Sequence, residues 1–330
     1  MLTIKYFFKL LSHGVDLSEH NFNKGHVPTK AELAPMVSRV SWAAIRVGLG
    51  RVLDKMFLVL WEIFRALGIR IFPYWYLDYY SHVNDKLGYS NEEWGRIQAE
   101  KAWRTLNKWM MGRLALDMEE SSYGWRVNSL LQKKRYQEIA KGFLVRWKEL
   151  SGQEAIIYCS MGWLDKLSDW FKDFDLWIAW YSQEVRLEGI LYELELKKWR
   201  GKLLIWQYAS NGDVNGDGIG RGREFGIDTR MIDLNDGVGL DESFWGGQTV
   251  IVVTPEDEVV DYLYKLNITE PRLRVRKGPG LAYEAIRNAG AGEVKVYDEQ
   301  KAVGETYAFA RISKTGNEWV SLDPRYSKKV

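Results

Sequence analysis

Leu114-Ala115-Leu116-Asp117-Met118-Glu119-Glu120 is an apolar run that closes on two carboxylates spaced i, i+2. In an extended strand, side chains two apart share a face, and a rise of about 3.3 Å per residue separates these two by roughly 6–7 Å at Cβ. Hydrolysis of a glycosidic bond needs one carboxyl kept protonated beside another that stays ionised, at about that separation. Alone, D-x-E at a strand end is a weak signal, because surface strands often finish in acids. Its weight comes from what surrounds it.

Upstream, residues 13–18 (HGVDLS), 41–47 (SWAAIRV) and 69–76 (IRIFPYWY) predict three strands. Between the last two, residues 54–67 predict an amphipathic helix with Met56, Leu60, Ile63 and Leu67 on one stripe and Gly68 as its stop. Residues 91–111 predict a helix capped by Asn91, and residues 128–150 another. Downstream, residues 155–159 (AIIYC), 176–180 (LWIAW), 203–207 (LLIWQ) and 231–234 (MIDL) predict further strands. Strands that alternate with helices and are apolar on both faces imply a parallel α/β barrel. Chemistry in such barrels gathers at the strand C-terminal ends, where Asp16, Asp117, Glu119 and Asp233 all fall.

The 330 residues suffice for one large and one small domain, and 46% hydrophobic with 27% charged residues is ordinary for a globular chain. The net charge of +2 is unevenly placed. From residue 264 onward there are 13 Lys and Arg against 8 Asp and Glu, a balance of +5, and the rest carries 33 against 36, or −3. A basic tail suits an anionic partner. Sixteen Trp and eighteen Tyr exceed what a core of this size requires, and flat rings with polar tips suit a polysaccharide. Residues 1–12 are interrupted by Lys9 with no small-residue cleavage site, so no signal peptide is expected. No apolar stretch reaches the ~20 residues of a membrane span.

Other chemistries find little support. The four His lie in neither H-E-x-x-H nor a Cys/His cluster, which argues against zinc hydrolysis. Cys159, the single cysteine, has no histidine after it and reads as a packed strand residue. The acidic body argues against nucleic acid.

In order, GVDLSEHN, AAIRVGLG, RALGI, FPYWY, LALDMEES, IIYCS, LWIAWY, LLIWQYAS and GIDTRMIDLN resemble the glycoside hydrolase family 25 muramidases, the Chalaropsis-type lysozymes of many phage endolysins. The resemblance runs from about residue 13 to residue 245. It implies a modified (β/α) TIM-like barrel that cleaves the β-1,4 bond between N-acetylmuramic acid and N-acetylglucosamine of peptidoglycan, with no cofactor required. Asp16 matches the first-strand acid, Asp117 and Glu119 the D-x-E, and Asp233 the acid of the late V-D-x-N motif. The resemblance makes Glu119 the general acid/base, while Asp117 stays ionised and orients or stabilises. Asp16 and Asp233 would fix the protonation pattern and position sugar.

There are departures. Pro73-Tyr74-Trp75-Tyr76 stands where the family has A-Y-H-F, so Trp75 replaces histidine and one subsite is expected to be reshaped. Ala179-Trp180-Tyr181 stands for A-R-Y. The expected sugar contacts are Tyr74, Trp75, Tyr158, Trp177, Tyr181 and Trp206. Core packing is the rival reading for Tyr74, Tyr158, Tyr181 and Trp206, and their place at strand ends favours sugar. Arg46 either contacts substrate or neutralises the acids, and the second is preferred.

Residues 246–263 read as a connector and residues 264–330 as a small all-β domain, which leaves residues 1–245 to the barrel. Leu273-Arg274-Val275-Arg276-Lys277-Gly278-Pro279 and Glu318-Trp319-Val320 resemble the L-N-V-R-x-G-P and G-W-V of bacterial SH3 domains, with Arg274 and Glu318 as departures. Such modules resemble wall anchors, so an anionic cell-wall polymer is the partner expected for it. The biology implied is a phage endolysin held in the host cytoplasm until holin-type release, with no membrane insertion. Finally, Asp213, Asn215, Asp217, Ile219 and Glu224 fit D-x-[DN]-x-[DN]-G-x5-E, a calcium loop. Arg221, Arg223 and a preceding strand rather than helix argue instead for a plain turn.

Overall fold

The structure, a computed structural model, describes residues 12–79, 88–107, 113–119, 129–181, 186–212, 219–245, 263–301, 304–313 and 316–329, the side chains of residues 242 and 243 excepted. The chain divides into two compact units, one of residues 1–78 and 95–251 and one of residues 79–94 and 252–330.

In the first unit, chain order gives β1 (Ser12–Leu17), α1 (Lys30–Leu33), β2 (Trp42–Leu49), β3 (Val52–Leu53), α2 (Phe57–Leu67) and β4 (Arg70–Tyr76). There follow α3 (Asn91–Leu106, of which residues 95–106 belong to this unit), β5 (Ala115–Asp117), α4 (Leu130–Ser151), β6 (Ile156–Ser160) and β7 (Leu176–Ala179). The last are α5 (Leu187–Leu196), β8 (Leu203–Ala209), β9 (Asp233–Gly237) and α6 (Glu242–Trp245). Around the sheet, β1, β2, β4, β5, β6, β7, β8 and β9 follow one another, and β9 pairs back with β1 to close an eight-strand barrel. The short β3 only extends β2 as a hairpin.

Closure differs from the expected all-parallel barrel. β9 runs antiparallel to both β8 and β1. A direct antiparallel return needs no crossover helix, and among the described residues only the 3₁₀ turn Gly222–Phe225 lies between β8 and β9. Between β6 and β7 the crossover is two 3₁₀ turns, Met161–Lys166 and Asp169–Asp173.

The period-2 alternation decides what faces inward. Asp16 lies beside Ala44, Tyr74 beside Ala115, Tyr158 beside Trp177, and Gln207 beside Asn235. Beneath these, Phe72 packs on Trp177 (6.0 Å between ring centroids) and on Phe244 (4.9 Å), which meets Trp245. Trp42 joins this plug because Gly14 leaves it room: a Cβ there would lie 2.1 Å from the indole. Each buried aromatic contributes about 1.5–3 kcal/mol.

The outer face is covered by helices. Ser129 and Gln132 cap α4 reciprocally, and Tyr136, Ile139, Phe143 and Trp147 are its buried stripe. In α2 the buried stripe is Phe57, Leu60, Trp61 and Phe64, rotated from the expected one. Both stripes have helical spacing, and the one with three aromatic rings buries more area. Among the described residues no helix is long and apolar enough to cross a membrane.

The second unit holds β10 (Tyr264–Ile268), β11 (Arg274–Arg276), β12 (Ala285–Asn288), β13 (Gly292–Val296), β14 (Asp298–Gln300), β15 (Phe309–Arg311), β16 (Trp319–Ser321) and β17 (Ser327–Lys329). They form antiparallel sheets ordered β13-β10-β17 and β12-β11-β16-β15-β14. Leu266, Ile268, Leu273, Val275, Val296, Ala310 and Val320 make a core of its own. The region is all-β, as its short apolar runs predict.

Candidate active site

Backbone bonds on both sides fix the D-x-E. Leu77 N–H donates to Asp117 O (3.0 Å), and Met118 N–H donates to Tyr158 O (2.8 Å). Asp117 therefore points into the barrel, Met118 outward, and Glu119 follows on the Asp117 side. Asp16 and Asp233 are directly opposed across the antiparallel β1–β9 pair and share a hydrogen bond. Asp16 Oδ2 also accepts from Gln207 Nε2 (2.7 Å) and Asn235 Nδ2 (2.8 Å). Asp117 is buried, and its Oδ1 has no hydrogen-bond partner.

Four carboxyl groups thus meet in a poorly solvated site with one nearby cation among the described residues. That cation, Arg46, is itself held by Asp54 (2.7 Å) and, more loosely, by Glu19 (3.5 Å). All four acids are pushed up, and burial is the largest cause for each. Glu119 rises to about 7, with the charge of Asp16 second and Arg46 opposing. Asp117 rises well above the usual carboxylate range, with Glu119 and Asp16 next and Arg46 opposing. Asp233 does likewise, through the charge of Asp16 and the bond they share. For Asp16 the bonds from Asn235, Gln207 and Asp233 resist the rise, which makes it the best-stabilised anion.

Asp117 was expected to stay ionised; its burial, the charges of Glu119 and Asp16 and an oxygen without a donor all press toward the protonated form. The group that titrates near neutrality is Glu119, as a proton donor requires.

The sequence profile of Glycosyl hydrolases family 25 matches residues 15–217, which contain the D-x-E and the Asp16 strand. The chain belongs to glycosyl hydrolase family 25. No curated protein sequence matches it. Among solved structures, the modular autolysin LytC from Streptococcus pneumoniae is 18% identical with a TM-score of 0.51, over 69% of this chain and 47% of its own. This chain thus spans about half the length of that autolysin. LytC in complex with a synthetic peptidoglycan ligand gives 17% and 0.51 over the same shares. The spore cortex lytic enzyme SleM from Clostridium perfringens is 16% identical with a TM-score of 0.49, over 98% of each chain. At such identities the likeness is one of fold.

In this family 25 hydrolase three tyrosines stand among the acids. Tyr158 donates to Gln207 Oε1 (2.8 Å), and Tyr181 bonds the same oxygen while 48% exposed. Tyr74 reaches Leu17 O at 3.5 Å and lies in the field of Asp16, Arg46 and Asp117. Arg46 is bound by Asp54 and Glu19, and its charge opposes the rise of Asp117 and Glu119.

Three expected sugar contacts lie elsewhere. Trp75 alternates with Tyr74, so it faces outward; it is fully buried, its ring 6.5 Å from Phe143 and its Nε1 3.4 Å from Gln98 Oε1. It reshapes the packing under the helices, not a subsite. Trp206 shares the outer face of β8 with Tyr208 (5.8 Å) and donates to Trp180 O. Trp177 faces inward but is 1% exposed, a floor that bonds Asn235 Oδ1 at 2.8 Å. The residues missed were Gln207 and Asn235, which solvate Asp16. Their signal was present: amides at inward parity in apolar strands, Asn235 at i+2 from Asp233.

Of the calcium-type stretch, Asp213, Asn215 and Asp217 lie outside the described residues. Ile219 is exposed, and Glu224 faces Arg39 (3.5 Å) and Arg221 (3.6 Å), cations that compete for its oxygens. Among the described residues no group of three or more His, Cys, Asp or Glu is placed to hold a metal ion. Cys159 is buried on the outer face, and burial pushes its thiol up, which leaves it a packing residue.

Proposed function

We propose that this glycoside hydrolase is a muramidase that cleaves the β-1,4 bond between N-acetylmuramic acid and N-acetylglucosamine in bacterial peptidoglycan. The observation that carries the reading is the inward cluster of Asp16, Asp117, Glu119 and Asp233, in which burial and the charge of Asp16 push Glu119 up to about 7. The pneumococcal autolysin solved with a synthetic peptidoglycan ligand supports the substrate class.

Neutral Glu119 gives its proton to the glycosidic oxygen as the C–O bond breaks. The unpartnered Oδ1 of Asp117 takes the N–H of the sugar's 2-acetamido group, which turns the acetamido oxygen onto the anomeric carbon. Water then opens that intermediate and returns a proton to Glu119, so the anomeric configuration is retained. Asp16, solvated by Gln207 and Asn235, keeps a fixed negative charge near the developing oxocarbenium ion.

The test is digestion of purified peptidoglycan, borohydride reduction and mass spectrometry of the fragments. New reducing ends on muramic acid are expected; reduced glucosamine ends or free peptides would overturn the reading. Glu119→Gln should lower turnover by at least ~100-fold with folding intact.

The all-β unit, with its LRVRKGP and EWV motifs and +5 charge, is proposed as an SH3-like module for an anionic wall polymer. A phage endolysin is the setting proposed for the pair. Lysis from within a host only when a holin is co-expressed would support that setting, and lysis without one would count against it.

A further inference from the structure

On the outer flank of the barrel, α4 and the 3₁₀ turn Asp169–Asp173 enclose a groove of about 430 Å³. We infer that this groove is a second glycan site, one that takes a carboxylate-bearing stretch of the strand being cut. The inference rests on the muramidase reading for its substrate.

An exposed ring forms its floor. Trp170 is 38% exposed, yet it is fixed edge-on to Phe171 (4.9 Å) and against Phe174 (5.2 Å). Lys133, Lys134 and Lys141 line the same groove, with Lys141 Nζ 5.4 Å from the Trp170 ring centroid. Among the lining residues the one carboxylate is Glu138, 3.7 Å from Lys134, so the groove keeps a net charge of +2. Gln137 ties the walls together: its Nε2 donates to Lys166 O (2.9 Å) and its Oε1 accepts from Ser168 N–H (3.1 Å). The α4 N-terminus adds its own partial positive charge. A rigid flat ring takes the face of a sugar, and compact ammonium groups on flexible stems take carboxylates that hang from it.

Topology gives the groove its use. A crossover helix runs antiparallel to the strands it joins, so the first turns of α4 lie at the barrel end where β5 delivers Asp117 and Glu119. Trp170 packs on Phe174, two residues before β7, so the groove runs down the flank from that rim. A glycan strand that leaves the cleft there passes the first α4 lysines before it reaches Trp170. Stem peptides on muramic acid supply the carboxylates. The groove would thus favour polymeric wall over short fragments without touching the chemistry.

The experiment uses the full chain, with Trp170→Ala and Lys133→Glu/Lys141→Glu compared with native. In a Glu119→Gln background, each change should weaken co-sedimentation with purified sacculi by about threefold to tenfold. Converting the carboxylates of the sacculi to neutral amides should abolish the lysine effect and leave the tryptophan effect. In the active background, turnover of a soluble tetrasaccharide should be unchanged. Equal sedimentation of variants and native would overturn the inference. So would variants that lose binding to vesicles of anionic phospholipid but not to sacculi, or that lose tetrasaccharide turnover. If native protein cuts no tetrasaccharide while the sedimentation differences persist, the groove stands and the muramidase reading falls.

Discussion

Glu119 titrates near 7 because the fold buries it beside Asp16, and that position works against stability as it works for catalysis. In the unfolded chain its carboxyl ionises near the ordinary 4.5. Between these values the folded state binds the extra proton, so stability falls as pH rises from about 4.5 to about 7. Glu119→Gln removes this loss, and should stabilise the protein at pH 8 by on the order of 3 kcal/mol relative to pH 4. Denaturant unfolding of both proteins at the two pH values measures it; an equal gap at each would mean that Glu119 is not raised. The same titration places the alkaline limb of kcat/KM for the free enzyme near pH 7. At this scale the sequence was legible wherever parity alone decides: Asp117 and Glu119 share a face because they are two apart. It was silent on which of them holds a proton. Desolvation, the missing donor at Asp117 Oδ1 and the amides on Asp16 arise from strands up to 219 residues apart.

Among the elements, long apolar strands could be read directly, since burial on both faces leaves an unbroken run. Direction could not, because a strand has the same periodicity either way, so the antiparallel β9 was missed. The loops that seat β9 were also invisible. His26 Nδ1 meets Asp228 Oδ2 at 2.5 Å and its Nε2 meets Glu32 Oε1 at 3.3 Å, while Asn21 Nδ2 donates to Met231 O. Gly226 permits the clamp: at φ +82° it leans on Glu32 O, where a Cβ would approach to 1.8 Å. The clamp joins the loop after β1 to the segment that leads into Asp233. The hydrogen bond to Asp228 raises His26, so its stabilising charge is complete below the ordinary imidazole range and is lost as pH rises through the raised value. His26→Gln should therefore lower the melting temperature at pH 5.5 and much less at pH 9. A deficit of equal size at both pH values would reduce the pair to neutral packing. Gly226→Ala should destabilise at every pH, because both its φ and its space forbid a side chain.

For the whole molecule, composition alone separates a mildly acidic barrel unit, proposed to cut, from a basic all-β unit proposed to hold the wall. The all-β class was legible in short apolar runs between glycine turns, and the ligand was not, because charge names a sign and not a chemical group. If the +5 of residues 264–330 acts through an anionic wall polymer, its contribution is screened once the Debye length shrinks to the scale of the contacts, roughly 10 Å at 0.1 M and 3 Å at 1 M salt. Removing residues 264–330 should then leave turnover of a soluble tetrasaccharide within about twofold while weakening co-sedimentation with intact walls by about tenfold at low salt. The lysines around Trp170 remain in the truncated protein, so its binding keeps some salt dependence of its own. The decisive quantity is thus the gap between full-length and truncated protein. That gap should close as salt rises from 50 mM to 1 M, provided that circular dichroism shows the barrel unit still folded. A gap that persists undiminished at 1 M would mean that the all-β unit recognises its partner by shape rather than charge, and no gap at 50 mM would remove it from wall binding altogether.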